Sequence, residues 1–259
     1  MMSKNLFAPL EQFQILSLTN VFGFKYLITN LFLMNILIIL ILISLVYFNS
    51  PNNKKTNIFT VSSSMYFLPN IWQKTIELLS EIVSNLILNF ITDENEKYFP
   101  VIATLFNFIL FSNLTGLLPY SFTTTSHLFV TFSLSLAIFI GINIITFEKY
   151  KEESFSLFLP ANTSFFLALL LVPIEFVSYL AKPISLGARL FINLMAGHST
   201  LKIVISFAWS MLLLENFLSF GFFIPIVLLV VLFGLELGIA LIQTYVFVVL
   251  TCIYIKDGS

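Results

Sequence analysis

The fifty residues from Tyr98 to Phe147 contain no formally charged side chain. Soluble domains carry about one charged residue in four, so a run of this length does not fit a soluble fold. A membrane-spanning helix needs about 20 apolar residues, and the run is therefore long enough for two crossings, divided at Pro119 and the polar residues after it. The whole chain agrees, because 58% of its 259 residues are apolar and only 10% are charged. We expect a membrane protein.

Charge and cysteine content exclude several other classes of protein. Twelve Lys and Arg against thirteen Asp and Glu give a net charge of −1, which offers no basic surface for nucleic acid. The single cysteine, Cys252, cannot form an internal disulfide, and no cysteine pair is present for a zinc or iron–sulfur site. The first 25 residues lack the apolar centre of a secretory signal. We find no internal repeat, which disfavours a transporter built from inverted repeats.

The remaining apolar runs predict an all-α polytopic membrane protein with about five membrane helices and one amphipathic interfacial helix. We expect a single membrane domain over residues 1–259, in which an N-terminal segment at 1–25 precedes a first span at 27–48. Polar residues at spacings of three and four predict the amphipathic helix at 66–92. The charge-free run then forms a helical hairpin at 98–147.

The last hundred residues predict a second, longer antiparallel hairpin at 156–256. Its two helices are expected at roughly 156–203 and 218–256. The first would be about 70 Å long at 1.5 Å per residue, more than twice the roughly 30 Å of membrane hydrocarbon. The helices must therefore be strongly tilted or broken, and Pro173 and Pro183 are candidate bending points.

Ionisable residues interrupt this hairpin, although each costs about 2.5–3.5 kcal/mol or more to insert into a membrane. Glu175, Lys182 and Arg189 are spaced by seven and form one stripe, which Asn193 extends. One interpretation is an ion-pair seam between helices. Arg189 favours another, because its nearest acid on the same helix is about 21 Å away and a guanidinium does not lose its proton. Its partner must then lie on another helix or another chain.

The final helix carries a second polar stripe. Glu236 and Gln243 are also seven apart and share a face. We expect this helix to pack antiparallel against the helix of Arg189, so that the two polar stripes meet inside the membrane. Gly234 and Gly238 bracket the glutamate in a GxxxG spacing, which permits a close approach of helices.

The two histidines have different surroundings in the sequence. His198 is nine residues beyond Arg189, about 180° around an ideal helix, so it cannot contact the group that Arg189 contacts. Spacing alone favours a packing histidine, and the alternative is a residue lining a separate aqueous path. His127 lies in the predicted connection of the first hairpin and is expected to be solvated.

Four strings in the sequence resemble subunit a of the rotary F-type ATP synthases in its mitochondrial form. The most specific is PISLGARLFINLMAGH at residues 183–198. LEQF at 10–13, NLTGLLPY at 113–120 and LELGIALIQTYVF at 235–247 extend the resemblance to nearly the whole chain.

The resemblance implies a proton-translocating stator subunit in the membrane sector of the synthase. It would form two offset aqueous half-channels at its interface with the c-ring, coupling proton flow down the electrochemical gradient to rotor rotation and ATP synthesis. Arg189 would be the essential gate that faces the rotor carboxylate, and Gln243 would support it. The chain would then have no catalytic activity by itself and would act as a component of the proton-transporting complex. No cofactor is expected.

The resemblance also assigns the half-channels. Glu236 and His198 would line the path from the intermembrane space, while Glu175 and Asn193 would belong to the path to the matrix. Some relatives place a second histidine where this chain has Lys202, so no metal is expected beside His198.

The implied partners are the c-ring, the peripheral stalk and other membrane-sector subunits, the lipid bilayer and the translocated proton, with no nucleic acid. The implied location is the mitochondrial inner membrane. Lys54, Lys55, Lys149 and Lys151 fall on one side of the predicted topology, so the positive-inside rule directs the N-terminus to the intermembrane space and the C-terminus to the matrix.

Two other functions stay open from the residues alone. A self-contained transporter or channel could use Arg189 to bind an anionic substrate, and it would be active without partner chains. A structural membrane subunit could use the charged stripe only for assembly, in which case removing Arg189 would harm assembly more than proton flux.

Overall fold

The computed structural model describes residues 9–21, 24–49, 71–90, 97–118, 121–151, 165–212 and 223–258. The helices in this part of the chain are α1 Asn30–Asn49, α2 Ile71–Phe90, α3 Phe99–Gly116, α4 Leu128–Tyr150, α5 Phe165–Leu212 and α6 Phe223–Gly258. A short 3-10 helix, Pro9–Phe13, and two strands, β1 Ser17–Val21 and β2 Phe24–Thr29, precede them.

The four helices α3 to α6 are long and apolar enough to cross a membrane. Helix α1 adds a shorter apolar stretch, Asn30–Ser44. The predicted all-α polytopic membrane fold is therefore confirmed. The connection between α1 and α2 with the start of the helix predicted at 66–92, most of the turn before α3 and the start of the second hairpin lie outside the described residues.

Helix α5 is continuous over 48 residues and contains both Pro173 and Pro183. It ends at Leu212, nine residues later than the sequence predicted, and measures about 72 Å at 1.5 Å per residue. Each proline removes one backbone hydrogen bond. Membrane helices tolerate such positions because neighbouring groups and local adjustments satisfy the freed carbonyl.

Helix α6 lies at the centre of the bundle, where it packs against α2, α3, α4 and α5. A core cluster joins α2 and α3 to its C-terminal half through Val83, Phe106, Val248 and Cys252. The predicted amphipathic helix is confirmed in α2, whose buried face meets this cluster while Lys74, Glu77 and Glu81 are exposed. Its buried apolar residues, Val83, Leu86 and Ile87, are thus covered by protein, whereas Leu78, Ile82 and Leu88 are exposed.

Helices α3 and α4 form the two arms of the first hairpin, and each packs against α6. Their connection is polar yet buried: Thr123, Thr124, Thr125 and Ser126 are all 5% exposed or less. The expectation of a solvated His127 is wrong, since its ring is half-buried and stacks on Phe122 with centroids 5.0 Å apart. This burial lowers the pKa of His127 below its usual value and so favours the neutral ring.

The strands β1 and β2 form an antiparallel hairpin that the sequence analysis did not predict. Their β-branched and aromatic residues favour extended backbone. Asn30 joins this hairpin to α1, because its side chain accepts from the backbone N–H of Leu16 and donates to the carbonyl of Gln14.

Candidate functional site

Helices α5 and α6 run antiparallel along the segment that carries the candidate residues. The Lys182 ammonium lies 5.1 Å from the centre of the Tyr254 ring near the C-terminal end of α6. One to two turns further along α5 than Arg189, Asn193 donates a hydrogen bond of 3.0 Å to Gln243. Beyond that pair, Gly197 faces Glu236. The predicted antiparallel packing is confirmed, and the two polar stripes meet where Asn193 contacts Gln243.

A cavity of about 230 Å³ opens between the C-terminal end of α3 and the facing parts of α5 and α6. A water molecule occupies about 30 Å³ in the liquid, so several waters would fit. The polar groups that line it come from Asn193, His198, Thr200 and Glu236. The structure thus brings the two residues expected in one half-channel, His198 and Glu236, to the same cavity.

The carboxyl group of Glu236 is buried, with the residue 8% exposed. Neither of its oxygens has a hydrogen-bond partner among the described residues, and the same holds for Nε2 of His198. Unpartnered polar atoms in a buried site are rare and point to water or a functional demand. The cavity supplies the space in which water can reach both groups.

Gly197 makes room for the glutamate. A Cβ atom added at Gly197 would lie 2.8 Å from Oε1 of Glu236 and 3.0 Å from its carboxyl carbon. By contrast, a Cβ at Gly234 or Gly238 would meet nothing within 4 Å in the described part of the chain. The interpretation of these two glycines as a close helix contact is therefore wrong within this part, and the close approaches on α5 are made by Gly187 and Gly197.

Arg189 is exposed on the outside of the bundle. It has no hydrogen-bond or ion-pair partner within the ranges that the structure describes. Gln243 contacts Asn193, which is four residues, or about one turn, further along α5 than Arg189. The side-chain oxygen of Gln243 accepts the hydrogen bond from Asn193, while its side-chain amide nitrogen is buried and has no partner among the described residues.

The other members of the charged stripe lie towards the opposite end of α5. Glu175 is exposed, and the Lys182 ammonium lies over the rings of Tyr179 and Tyr254. Asn193, expected beside Glu175, instead lines the cavity with His198 and Glu236. The two residues are eighteen positions apart on one helix, about 27 Å along its axis.

Two buried polar residues at the site were not singled out by sequence reasoning. Asn113 of α3 donates to Oγ1 of Thr244 at 3.2 Å and to the carbonyl of Ala240 at 3.4 Å. Ser112 beside it shares a 2.8 Å hydrogen bond with Thr124 of the connection. A carboxamide in the middle of an apolar span is costly and usually functional, and this signal could have identified Asn113.

Comparison with known proteins identifies what this chain is similar to. The family described as ATP synthase A chain matches residues 31–256. The ATP synthase subunit a of Pylaiella littoralis is 44% identical over 254 residues, covering 97% of each chain. That of Brassica napus is 41% identical over 258 residues, with 97% of this chain and 95% of the relative covered. That of Trichophyton rubrum is 39% identical over 263 residues, with 100% and 98% covered.

Proposed function

Because this chain belongs to the ATP synthase A chain family, we propose that it is the proton-translocating stator subunit of the membrane sector of an F-type ATP synthase. It works against a ring of c subunits and is held by the peripheral stalk and other membrane-sector subunits. Its location is the mitochondrial inner membrane, with the N-terminus towards the intermembrane space. The catalysis of ATP synthesis takes place on other subunits of the complex.

The observation that carries the proposal is Arg189, which is exposed and has no partner among the described residues. A guanidinium stays protonated, and an uncompensated charge in a membrane is costly, so its counter-charge has to come from outside the described part of this chain. A carboxylate on a rotor helix that passes α5 supplies it. This also argues against an assembly seam within the chain, since a seam would pair Arg189 with an acid of the same bundle.

The cavity beside Arg189 supports an inlet for protons. Glu236 and His198 each offer a titratable atom without a protein partner among the described residues, and water in the cavity would connect them. A proton that arrives there neutralises the rotor carboxylate. The Asn193–Gln243 pair, hydrogen-bonded at 3.0 Å, would stand between this inlet and Arg189 and hold the surrounding side chains in place.

The outlet would lie towards the other end of α5, where Glu175 is exposed. It is fourteen residues from Arg189, about 21 Å along the helix, so the two paths are offset. A neutral rotor acid can turn through lipid, whereas the anion is held near Arg189 until it is protonated again. Each proton that crosses releases about 2.3 kcal/mol per 100 mV of potential, and the offset converts this energy into rotation.

The first test replaces Arg189 by lysine in the assembled complex. A buried lysine can lose its proton and lacks the planar fork of arginine, so Arg189→Lys should abolish proton-driven ATP synthesis while the amount of assembled complex stays normal. Synthesis is measured in vesicles after an imposed proton gradient, and assembly on native gels. Coupled synthesis in the variant would refute the gating role. A lower amount of assembled complex, with normal synthesis per assembled complex, would instead favour a structural subunit whose charged stripe serves only assembly. Solute transport by the purified chain alone would favour a transporter.

A further inference from the structure

Three layers succeed one another along α3, α5 and α6. The cavity lies at the level of Leu117, Gly197 and Glu236. One to two turns further on each helix, a polar layer is formed by the side chains of Asn113, Asn193, Gln243 and Thr244. The next turn holds an apolar plug, which consists of Ile109, Leu186, Leu190 and Phe247.

The apolar plug is almost completely buried. Ile109, Leu190 and Phe247 are 0% exposed, and Leu186 is 2% exposed. Its fourth side is closed by Leu134 and Ile138 of α4, which pack against it. The close approach of α4 occurs at Gly187, where an added Cβ would lie 3.1 Å from the backbone carbonyl oxygen of Thr131.

The plug and Arg189 lie at the same level of α5 but on different faces of the helix. Leu190 follows Arg189 directly, and consecutive residues of a helix point about 100° apart. The leucine is fully buried in the plug while the arginine is exposed on the outside. A proton that leaves the cavity therefore has two directions open, one through the interior of the bundle and one past Arg189.

The interior direction contains no polar side chain within the plug. Water enters a buried site only where it finds two to four polar partners, and apolar cavities stay dry. The amide oxygen of Asn113 and the amide nitrogen of Gln243, which have no partner among the described residues, allow water from the cavity to reach the polar layer. Beyond this layer, the plug side chains of α3, α5 and α6 are aliphatic and aromatic. The buried hydroxyl of Ser135 on α4, next to Gly187, donates to the carbonyl of Phe132 in its own helix. A chain of water molecules, which needs several polar partners for each water, therefore ends there.

We propose that the apolar plug is an internal seal between the two half-channels. It prevents protons from passing through the bundle, so that the only conducting route runs past Arg189 and the rotor. The inference rests on the proposed function above and adds a second barrier to it. Arg189 blocks the outer route by its charge, and the plug blocks the inner route by excluding water.

The experiment measures passive proton flux through the assembled membrane sector in vesicles, before and after a carbodiimide has modified the rotor carboxylate. In the wild type we expect the carbodiimide to stop the flux. Ile109→Asn introduces a polar side chain of similar size into the plug, and we expect a loss of carbodiimide sensitivity together with a loss of proton-driven ATP synthesis. Ile109→Val keeps the site apolar and should behave like the wild type.

Further variants keep the test decisive. Val83→Asn places the same polar group in a fully buried position between α2 and α3, away from the route, and should leave the flux carbodiimide-sensitive. If Ile109→Asn does not assemble, Ile109→Thr differs from the valine control by one hydroxyl group and is compared instead. An assembled polar variant with fully carbodiimide-sensitive flux overturns the seal. Absence of carbodiimide-sensitive flux in the wild type overturns the proposed function itself, and the seal with it.

Discussion

At the scale of single residues, the site depends on a glycine, Gly197, whose lack of a side chain leaves room for Glu236. Gly197 leaves the space in which the buried carboxyl of Glu236 lies against the backbone of α5. A methyl group there would approach Oε1, the carboxyl carbon and Cγ at 2.8, 3.0 and 3.1 Å. Contacts this short cannot persist, and the glutamate, as a flexible side chain, is the group that moves.

Gly197→Ala should therefore slow proton flux by displacing the carboxyl from the cavity. Overpacking costs about 1–3 kcal/mol, and if this cost falls on the transfer step the flux drops by about 5- to 150-fold. The phenotype should approach that of Glu236→Gln, which removes the titratable group. Adding Glu236→Asp, which shortens the acid by one methylene, should recover part of the flux of Gly197→Ala.

The matched control is Gly234→Ala on the helix of Glu236, where an added Cβ meets nothing within 4 Å among the described residues. It should leave flux and assembly unchanged. Equal flux in the Gly197 and Gly234 variants, measured per assembled complex, would show that the position of the carboxyl does not limit transport.

At the scale of helices, two polar or small residues determine how the elements meet. The Asn113 side chain links α3 to α6 through Thr244 and Ala240, which sets the register of these two antiparallel helices. Gly187 lets α4 approach α5 so closely that an added Cβ would lie 2.7 Å from Oγ of Ser135 and 3.3 Å from Cα of Phe132. The close contact of α4 and α5 closes the apolar plug on its fourth side.

Gly187→Ala should separate α4 from α5 and destabilise the complex by about 1–3 kcal/mol. Ser135→Ala in the same chain should recover only part of this loss, because the contacts to backbone atoms of Thr131 and Phe132 remain. The measurement is the temperature at which the solubilised complex dissociates. Gly141→Ala on α4, where an added Cβ meets no described residue within 4 Å, is the control. Equal dissociation temperatures for the two alanine variants would contradict the close-packing role.

At the scale of the whole molecule, the described basic residues at the helix termini gather at one end of the bundle. Lys149 lies in the last turn of α4 and Lys256 in that of α6, and both ends are remote from the cavity. The connection between α3 and α4, at the cavity end, contains no Lys or Arg. By the positive-inside rule we predict that the lysine end faces the matrix and that the cavity opens to the intermembrane space.

This orientation can be measured with a membrane-impermeant maleimide. Cys252 is fully buried and gives a low background. In intact mitoplasts, a cysteine introduced by Leu128→Cys, at the exposed start of α4, should react. One introduced by Glu148→Cys, at its exposed other end, should react only after the membrane is opened. The reverse pattern of labelling would invert the topology and assign the cavity to the matrix side.

The sequence alone predicted the membrane class, the amphipathic α2, the two arms of the first hairpin and the antiparallel pairing of α5 with α6. These predictions succeed because a bilayer leaves few alternatives: backbone polar groups must be satisfied inside helices, and residues seven apart share one helix face. The β-hairpin before α1 was missed, because short strands have no comparable signal.

Only the tertiary structure decided what the polar residues meet. Sequence spacing placed His198 and Arg189 on different faces of α5. It could not predict that His198 lines the same cavity as Glu236, or that Asn193 lines this cavity too. The GxxxG spacing predicted a close helix contact at Gly234 and Gly238. Among the described residues the close contacts are made by Gly187 and Gly197. Periodicity specifies the face of a helix, whereas the neighbour that a face meets depends on how far each helix slides and turns against the others.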